Sequence, residues 1–107
     1  MTHSARPAPA DLATLSQARE SIDAIDVELM TLLAERHAIV DRVVTLKQAE
    51  GVAAAAPSRA KAVISGARTR AEEMGFDPDL AETIWREMVA YFIAREERVL
   101  GKEGVDK

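Results

Sequence analysis

The feature that most constrains the fold is a long stretch of helical periodicity in the first half of this 107-residue chain. Apolar side chains recur three and four residues apart, which is the spacing of one face of an α-helix. They are Leu15, Ile22, Ile25, Leu29, Leu32, Leu33, Ile39, Val40, Val43 and Leu46. The pattern predicts a helix that begins near Asp11 or Thr14, where Thr14 and Gln17 have capping-box spacing, and ends near Glu50 and Gly51.

The length of this helix predicts a partner. About 36 residues at 1.5 Å per residue give a helix of about 54 Å. A compact globule of this size has a radius of gyration of only about 13 Å. The helix would therefore extend beyond its own domain with an apolar stripe along its length. We predict that a second copy covers the stripe, in an intertwined antiparallel helical homodimer.

Two shorter helices follow. The second begins at Pro57 or Ser58, and Gly75 lies just beyond its end. The third begins at Asp77 and Pro78, a cap followed by proline at the first helical position. No segment predicts a strand, so the sequence predicts an all-α, three-helix protomer with a long first helix.

Three ranges describe the domain organisation. Residues 1–10 contain Pro7 and Pro9 and are interpreted as a disordered lead-in. Residues 11–101 form the helical domain, and residues 102–107 are a polar tail. We find neither an internal repeat nor a second domain.

Composition excludes several classes of function. The chain has no cysteine and two histidines, which argues against thiol chemistry and protein-built metal or haem sites. Its net charge of -4 argues against a nucleic-acid partner. No apolar run approaches the length of a membrane span or forms a secretory signal, so we expect a cytoplasmic protein without membrane association.

Two charged residues are unusual because four large apolar residues share their helical face. Arg36 has Leu32, Leu33, Ile39 and Val40 at these positions, and Glu96 has Phe92, Ile93, Val99 and Leu100. An unpaired buried charge costs several kcal/mol, so each needs a partner or a ligand. One interpretation is a structural ion pair between Arg36 and Glu96, and the other is a binding site for an anion.

Further cations favour the binding site. Lys47 follows Arg36 by eleven residues, which leaves the two about 20° apart around the helix and about 16.5 Å apart along it. Arg19 is about 25 Å from Arg36 and could serve the partner chain's site, or it could form an exposed pair with Asp23. Arg59 adds a cation to the start of the second helix, where anions are favoured.

These residues resemble the all-helical (type II) chorismate mutase family, which includes isochorismate-pyruvate lyase relatives. The resemblance rests on the runs QARESIDAID at residues 17–26 and LLAER at residues 32–36, followed by Lys47 and Arg59 at their intervals. It covers roughly residues 12–100. It implies a three-helix protomer in a homodimer with two sites, each completed by an arginine from the neighbouring chain.

The resemblance also implies roles for individual residues. Arg36 and Arg59 would hold the carboxylates of a small dicarboxylate substrate, chorismate or isochorismate. Arg19 would reach across the interface. Lys47 would contact a carboxylate and the ether oxygen, and Glu96 would face that oxygen from the third helix.

The implied reaction needs few functional groups. Conversion of chorismate to prephenate is an intramolecular Claisen rearrangement without a nucleophile, metal or proton transfer. A site accelerates it by selecting the reactive conformer and by stabilising negative charge on the ether oxygen. We therefore expect no cofactor, and we expect a place in the shikimate pathway and aromatic amino acid biosynthesis.

The chain departs from the family at Glu96, where many members have glutamine. A glutamine amide donates a hydrogen bond at any pH, whereas a carboxyl group donates only when protonated. We therefore expect activity to fall as pH rises and Glu96→Gln to flatten the dependence. Glu97 also has mostly apolar neighbours, so the assignment could shift by one residue.

Other departures keep the substrate open. Typical mutases resemble one another in carrying acidic or amide groups that bind the ring hydroxyl. Here the matching positions are Ala56 and Ala60. Phe92 takes a place that a small polar residue often holds. An apolar loop with Arg59 also resembles the isochorismate-pyruvate lyases, which release salicylate and pyruvate. Chorismate mutase is the first interpretation, the lyase the second, and a mutase acting on an amino analogue the third.

A non-enzymatic interpretation is a helical dimerisation module. That interpretation predicts leucine or isoleucine at positions 36 and 47, and the cations there argue against it. Ser58 is interpreted as a helix cap rather than a nucleophile, because no histidine is placed to activate it.

Overall fold

The computed structural model describes residues 6–107, and these form three α-helices and no β-strand. The helices are α1 (Leu15–Glu50), α2 (Pro57–Met74) and α3 (Pro78–Leu100), preceded by a short 3-10 helix (Pro9–Asp11). The predicted all-α class and the three helices are therefore confirmed. The chain divides into two compact units, one ending at Ile39 and one beginning at Val40, so the boundary lies within α1.

The start of α1 follows the predicted capping pattern. The Thr14 hydroxyl oxygen accepts a hydrogen bond from the backbone N–H of Gln17 at 3.1 Å. The Gln17 side-chain oxygen accepts from the backbone N–H of Ala13 at 2.9 Å. Two donors at the helix start are thus satisfied by local side chains, which fixes where the helix begins.

The first unit holds the N-terminal segment against α1. Arg6 Nη1 lies 2.7 Å from Glu28 Oε1, and both side chains are part-buried. No residue of α1 is buried. Its exposed apolar side chains in this unit are Leu15, Ile22, Ile25, Val27, Leu29, Met30, Leu32, Leu33 and Ile39. The predicted lead-in begins in residues 1–5, which lie outside the described residues.

In the second unit, α2 and α3 pack against each other as a helical hairpin whose buried residues include small ones. Gly75 ends α2 in the left-handed conformation at φ 73°, which glycine adopts without strain. Asp77 caps α3 by accepting from the backbone N–H groups of residues 79 and 80. The buried residues of the two helices include three alanines, Ala67, Ala71 and Ala81. Small side chains therefore allow the two helices to approach closely.

Charged side chains join the same two helices across their exposed edge. Arg68 Nη1 lies 2.9 Å from both Asp79 Oδ1 and Glu82 Oε1. Arg86 Nε lies 2.6 Å from Glu82 Oε2. The hydrogen bond from Arg86 is the main cause that lowers the pKa of Glu82, against an opposing effect of desolvation. Similarly, the hydrogen bond to Asp79 raises the pKa of Arg68.

The loop between α1 and α2 supplies much of the buried surface. Its buried residues are Val52, Ala53, Ala54 and Ala56. Ala56 precedes α2 as its N-cap residue and has no side chain that could accept a hydrogen bond. The expectation that Ser58 caps this helix is wrong, because α2 begins one residue earlier, at Pro57, so Ser58 lies within its first turn.

No helix among the described residues has both the length and the apolar character that crossing a membrane requires.

Candidate active site

The centre of the candidate site is an ion pair between α1 and α3. Lys47 lies in the last turn of α1, and its Nζ is 2.8 Å from Glu96 Oε1 on α3. The side chain of Lys47 is 16% exposed and that of Glu96 is 7% exposed. Among the described residues, Glu96 is the only buried charged residue. The four apolar neighbours of Glu96 in the helical pattern thus correctly predicted that this carboxylate is buried.

A second contact fixes the lysine ammonium group. Lys47 Nζ donates a hydrogen bond to the backbone carbonyl oxygen of Ala54 at 3.0 Å. This carbonyl belongs to the buried loop between α1 and α2, so loop and helix hold the cation together. The position of the charge therefore depends on the loop backbone as well as on α1.

The carboxylate itself is not fully satisfied. Glu96 Oε1 is buried and lies 2.8 Å from Lys47 Nζ, and no other donor among the described residues reaches it. This buried oxygen therefore depends on a single cation for its compensation.

Mutating only one residue of this pair should destabilise the protein. Removing one partner of a buried ion pair leaves an uncompensated charge, at a cost of about 3–5 kcal/mol. Replacing both partners by apolar groups is often neutral or stabilising. Stability alone therefore gives little reason for a chain to place a lysine and a glutamate here.

A cavity of about 400 Å³ adjoins Lys47. This volume is within the range of small-molecule sites, about 300–1,000 Å³. The cavity lies between the ends of α1 and α3 and is lined by Lys47, Gln48, Gly51, Val52, Val99, Leu100, Glu103 and Gly104. Its polar lining therefore includes a cation and a carboxylate.

The structure distinguishes Glu96 from its neighbour. Glu97 is part-exposed, whereas Glu96 is buried and contacts Lys47. A shift of one residue along α3 turns a side chain by about 100°, which is enough to move it out of this contact. The geometry thus favours Glu96 over Glu97 as the carboxyl group beside Lys47.

The other predicted residues of the second unit lie around the start of α2 and on α3. Arg59 is exposed in the first turn of α2, and Ala56 is buried immediately before that helix. Ala60 lines a separate cavity between α2 and α3, together with Arg68 and other residues of those helices. Phe92 is part-buried on α3.

The remaining predicted cations belong to the first unit. Arg19 is exposed on α1, and Arg36 is part-buried on the same helix and already has a contact within the structure. The structure thus brings Lys47 and Glu96 together within the second unit, whereas Arg19 and Arg36 are described with the first.

Sequence reasoning missed the contribution of the C-terminal residues. Asp106 accepts two hydrogen bonds from Ser58 at the start of α2, and Gly104 lines the cavity beside Lys47. These residues are 48 or more positions from their partners and have no periodic pattern. The glycine at position 104 was the one available signal, because a glycine often marks a close approach of two backbones.

The described residues thus form an all-helical protein with a largely buried lysine–glutamate pair. Within the all-α class, the chain matches the family model described as chorismate mutase type II over residues 18–97. The chain belongs to this family.

Individual relatives agree with the family. The chain is 33% identical over 78 residues to a T-protein of Enterobacter agglomerans, covering 73% of this chain and 21% of that protein. It is 33% identical over 85 residues to a T-protein of Haemophilus influenzae, covering 79% and 22%. It therefore spans about a fifth of the length of these two relatives.

A third relative is similar in length. The chain is 31% identical over 88 residues to an isochorismate pyruvate lyase of Pseudomonas aeruginosa, which covers 82% of this chain and 86% of the lyase. No solved structure gives a significant match. A T-protein and a lyase thus each resemble more than two thirds of this chain.

Proposed function

We propose that this protein is a chorismate mutase that rearranges chorismate to prephenate. The observation that carries the proposal is the buried pair of Lys47 and Glu96, of which Lys47 lines a cavity of small-molecule size. Membership of the chorismate mutase type II family supports the same reaction. A cytoplasmic enzyme of aromatic amino acid biosynthesis is the setting that this reaction implies.

The proposed mechanism uses electrostatics and conformer selection. In the rearrangement the ether C–O bond breaks while a new C–C bond forms within the same molecule, so no group leaves and no proton moves. Negative charge develops on the ether oxygen, and the Lys47 ammonium group stabilises it. Glu96, when protonated, donates a hydrogen bond to the same oxygen.

The arginines have the complementary task of holding the substrate. Arg36 and Arg59 bind the two carboxylates, and this places the enolpyruvyl group over the ring. Charge-assisted hydrogen bonds from guanidinium groups suit carboxylates because both groups are planar and can pair at two points. Ala56 and Phe92 contact the remainder of the substrate, whereas Ala60 lines the other cavity, between α2 and α3.

The proposal includes a homodimer in which each site receives Arg19 from the other chain. Its support is the set of large apolar side chains that α1 leaves exposed, among them Leu29, Leu32 and Ile39. A contiguous apolar face of this kind is typical of a surface that another chain covers. A second copy is the partner that the family resemblance implies.

A second function, isochorismate-pyruvate lyase, is favoured by one specific observation. The relative that matches this chain over most of both lengths is named as an isochorismate pyruvate lyase. The alanines at positions 56 and 60 agree with this alternative, because they offer no polar group for a ring hydroxyl. Lys47 and Arg36 serve either reaction.

The experiment that tests the proposal incubates the purified protein separately with chorismate and with isochorismate. Prephenate from chorismate supports the mutase, and salicylate with pyruvate from isochorismate supports the lyase. Arg36→Ala should lower whichever activity appears by at least about a hundredfold. Arg42→Ala, an exposed arginine on the same helix, is the matched control and should retain activity. Consumption of neither compound would contradict both functions and favour a dimerisation module.

A further inference from the structure

We propose that the C-terminal residues 103–107, here named the C-terminal strap, position the loop between α1 and α2 and through it the Lys47 ammonium group. The strap and the loop (residues 51–56) belong to the same compact unit. The kinetic part of this inference rests on the proposed function. Its structural part stands on the contacts that follow.

The strap is joined to the loop through backbone atoms. The N–H of Val105 donates to the carbonyl oxygen of Gly51 at 2.9 Å, and the N–H of Ala53 donates to the carbonyl oxygen of Val105 at 2.9 Å. Val52 and Val105 form an isolated parallel bridge. The Val105 side chain itself is largely exposed, with 61% of the residue accessible. The attachment thus depends on the backbone of Val105 rather than on its side chain.

Gly104 allows this close approach. Its φ is 131°, a conformation that residues with a side chain rarely adopt. A Cβ atom at this position would lie 2.5 Å from the backbone nitrogen of Ala53 and 2.8 Å from the carbonyl carbon of Val52. Those atoms belong to the loop backbone and cannot rotate away as a flexible side chain could. A residue larger than glycine would therefore push the strap off the loop.

Asp106 joins the strap to the start of α2. Its Oδ1 accepts from the backbone N–H of Ser58 at 3.0 Å, and its Oδ2 accepts from the Ser58 hydroxyl at 2.7 Å. The residue that precedes the helix, Ala56, has no acceptor in its side chain. Asp106 therefore supplies the cap that α2 lacks locally. The capped residue, Ser58, directly precedes Arg59.

The loop transmits this support to the lysine. Ala54 is buried next to Ala53 in the loop, and its carbonyl oxygen accepts the hydrogen bond from Lys47 Nζ. Glu103 and Gly104 of the strap line the same cavity as Lys47. If the strap detaches, the loop loses two backbone hydrogen bonds and the ammonium group loses a fixed acceptor. Small displacements of a catalytic group lower the rate strongly, by up to about a hundredfold for about 1 Å.

The first test replaces Val105, because its role lies in its backbone. Val105→Pro removes the N–H that donates to Gly51, whereas Val105→Thr keeps it and is the matched control. We expect kcat to fall by about tenfold in the proline variant, with a smaller change in KM, and to be retained in the threonine variant. The assays use the full chain at a temperature well below unfolding, so that loss of folded protein does not lower the rate.

The second test separates packing and capping from charge. Gly104→Ala should lower kcat, while Gly75→Ala is the control for a methyl group at a glycine with positive φ, because a Cβ at Gly75 meets nothing within 4 Å. Asp106→Ala should lower kcat, and Asp106→Asn should restore most of it because the amide oxygen still accepts from Ser58. A rise in activity in both Asp106 variants would overturn the inference, since it would mean that the carboxylate blocks the site.

A structural measurement without substrate distinguishes a failure of the strap inference from a failure of the proposed function. The ¹H–¹⁵N signal of the Lys47 ammonium group and the hydrogen exchange of the Ala53 amide report on positioning without any substrate. We expect Val105→Pro to weaken the ammonium signal and to speed amide exchange, and Val105→Thr to leave both unchanged. If wild-type protein consumes neither compound, the proposed function fails, and an unchanged Lys47 signal in the proline variant would overturn the strap as well. Faster loop exchange with unchanged kcat would also overturn it.

Discussion

Glu96 shows how a single residue connects the fold to the proposed chemistry. Its helical neighbours are apolar, its carboxylate is buried, and Lys47 is the cation beside it. A neutral glutamine in the same place would avoid the cost of desolvating a charge. Unlike an amide, the carboxyl group can carry a negative charge, and in that ionised form it cannot donate a hydrogen bond.

We predict that Glu96→Gln keeps or raises the activity, because an amide can donate a hydrogen bond to the ether oxygen, whereas a carboxylate paired with Lys47 can only accept one. The measurement is kcat/KM of both proteins. Glu97→Gln is the matched control, because Glu97 is part-exposed, and its kcat/KM should follow that of the wild type. A fall of about tenfold or more in Glu96→Gln alone would contradict the role of Glu96.

At the scale of elements, the helix boundaries were accessible from the sequence because local residues fix them. Thr14 and Gln17 satisfy the start of α1, and Asp77 satisfies the start of α3. Gly75 ends α2 by adopting a left-handed conformation next to its own helix. Each of these signals acts within about four residues, so a single sequence is enough to show it.

The start of α2 was not accessible in the same way. Ser58 has the residue type of a cap, but its acceptor is the carboxylate of Asp106, 48 residues away. The pair of Lys47 and Glu96 was only partly accessible, because helical periodicity shows which charges are buried and not which partner each one meets. The hydrogen bond from Lys47 to the Ala54 carbonyl had no sequence signal, since every residue has a carbonyl group.

Glu82 gives a prediction for the hairpin of α2 and α3. The hydrogen bond from Arg86 lowers the pKa of Glu82 in the folded state below the ordinary value of 4.5, and Arg68 adds to this effect. A lowered pKa contributes stability above about pH 4.5, and the contribution is lost as pH falls through the folded-state pKa. We therefore expect Glu82→Gln to be less stable than the wild type at neutral pH and equal to it in strong acid.

The measurement is urea unfolding of both proteins at a series of pH values. Glu87→Gln, an exposed substitution on the same helix, is the control and should follow the wild type throughout. A stability difference between wild type and Glu82→Gln that stays constant from neutral to acidic pH would show that the ion pairs with Arg68 and Arg86 do not contribute.

At the scale of the whole molecule, the described chain buries few large side chains. Its buried apolar residues are alanines and Val52, and none of its large side chains is fully buried. Long apolar residues of α1 such as Leu29, Leu32 and Ile39 remain exposed instead. Burial of a leucine side chain is worth about 1.5–3 kcal/mol, so covering this face would be a major source of stability. The proposed homodimer supplies that cover and also the route by which Arg19 reaches a site.

Mixing two inactive variants tests this exchange of residues. Arg19→Ala and Arg36→Ala should each be inactive alone. After the subunits exchange, a mixed dimer has one site with both arginines intact and one site with neither. A 1:1 mixture should therefore recover about a quarter of the wild-type activity, because half of the dimers are mixed and each has one working site.

The matched control mixes Arg36→Ala with Lys47→Ala. Both residues would belong to the same chain's site, so no combination of these subunits restores an intact site. Recovery of activity in the control mixture, or none in the test mixture, would contradict the assignment of Arg19 to the neighbouring chain.

The alanines between α2 and α3 have a consequence for the mutational tolerance of the chain. Buried positions usually suffer most when a large side chain is made smaller, but Ala67, Ala71 and Ala81 have almost no volume to lose. They should instead reject any gain in volume, and alanine to valine at each should destabilise the protein by about 1–3 kcal/mol, whereas serine is accepted more easily. A saturation scan scored by stability would then show an upper limit on side-chain size at these three sites. The substitutions that the hairpin tolerates would then be limited by steric overlap and not by the loss of packing volume.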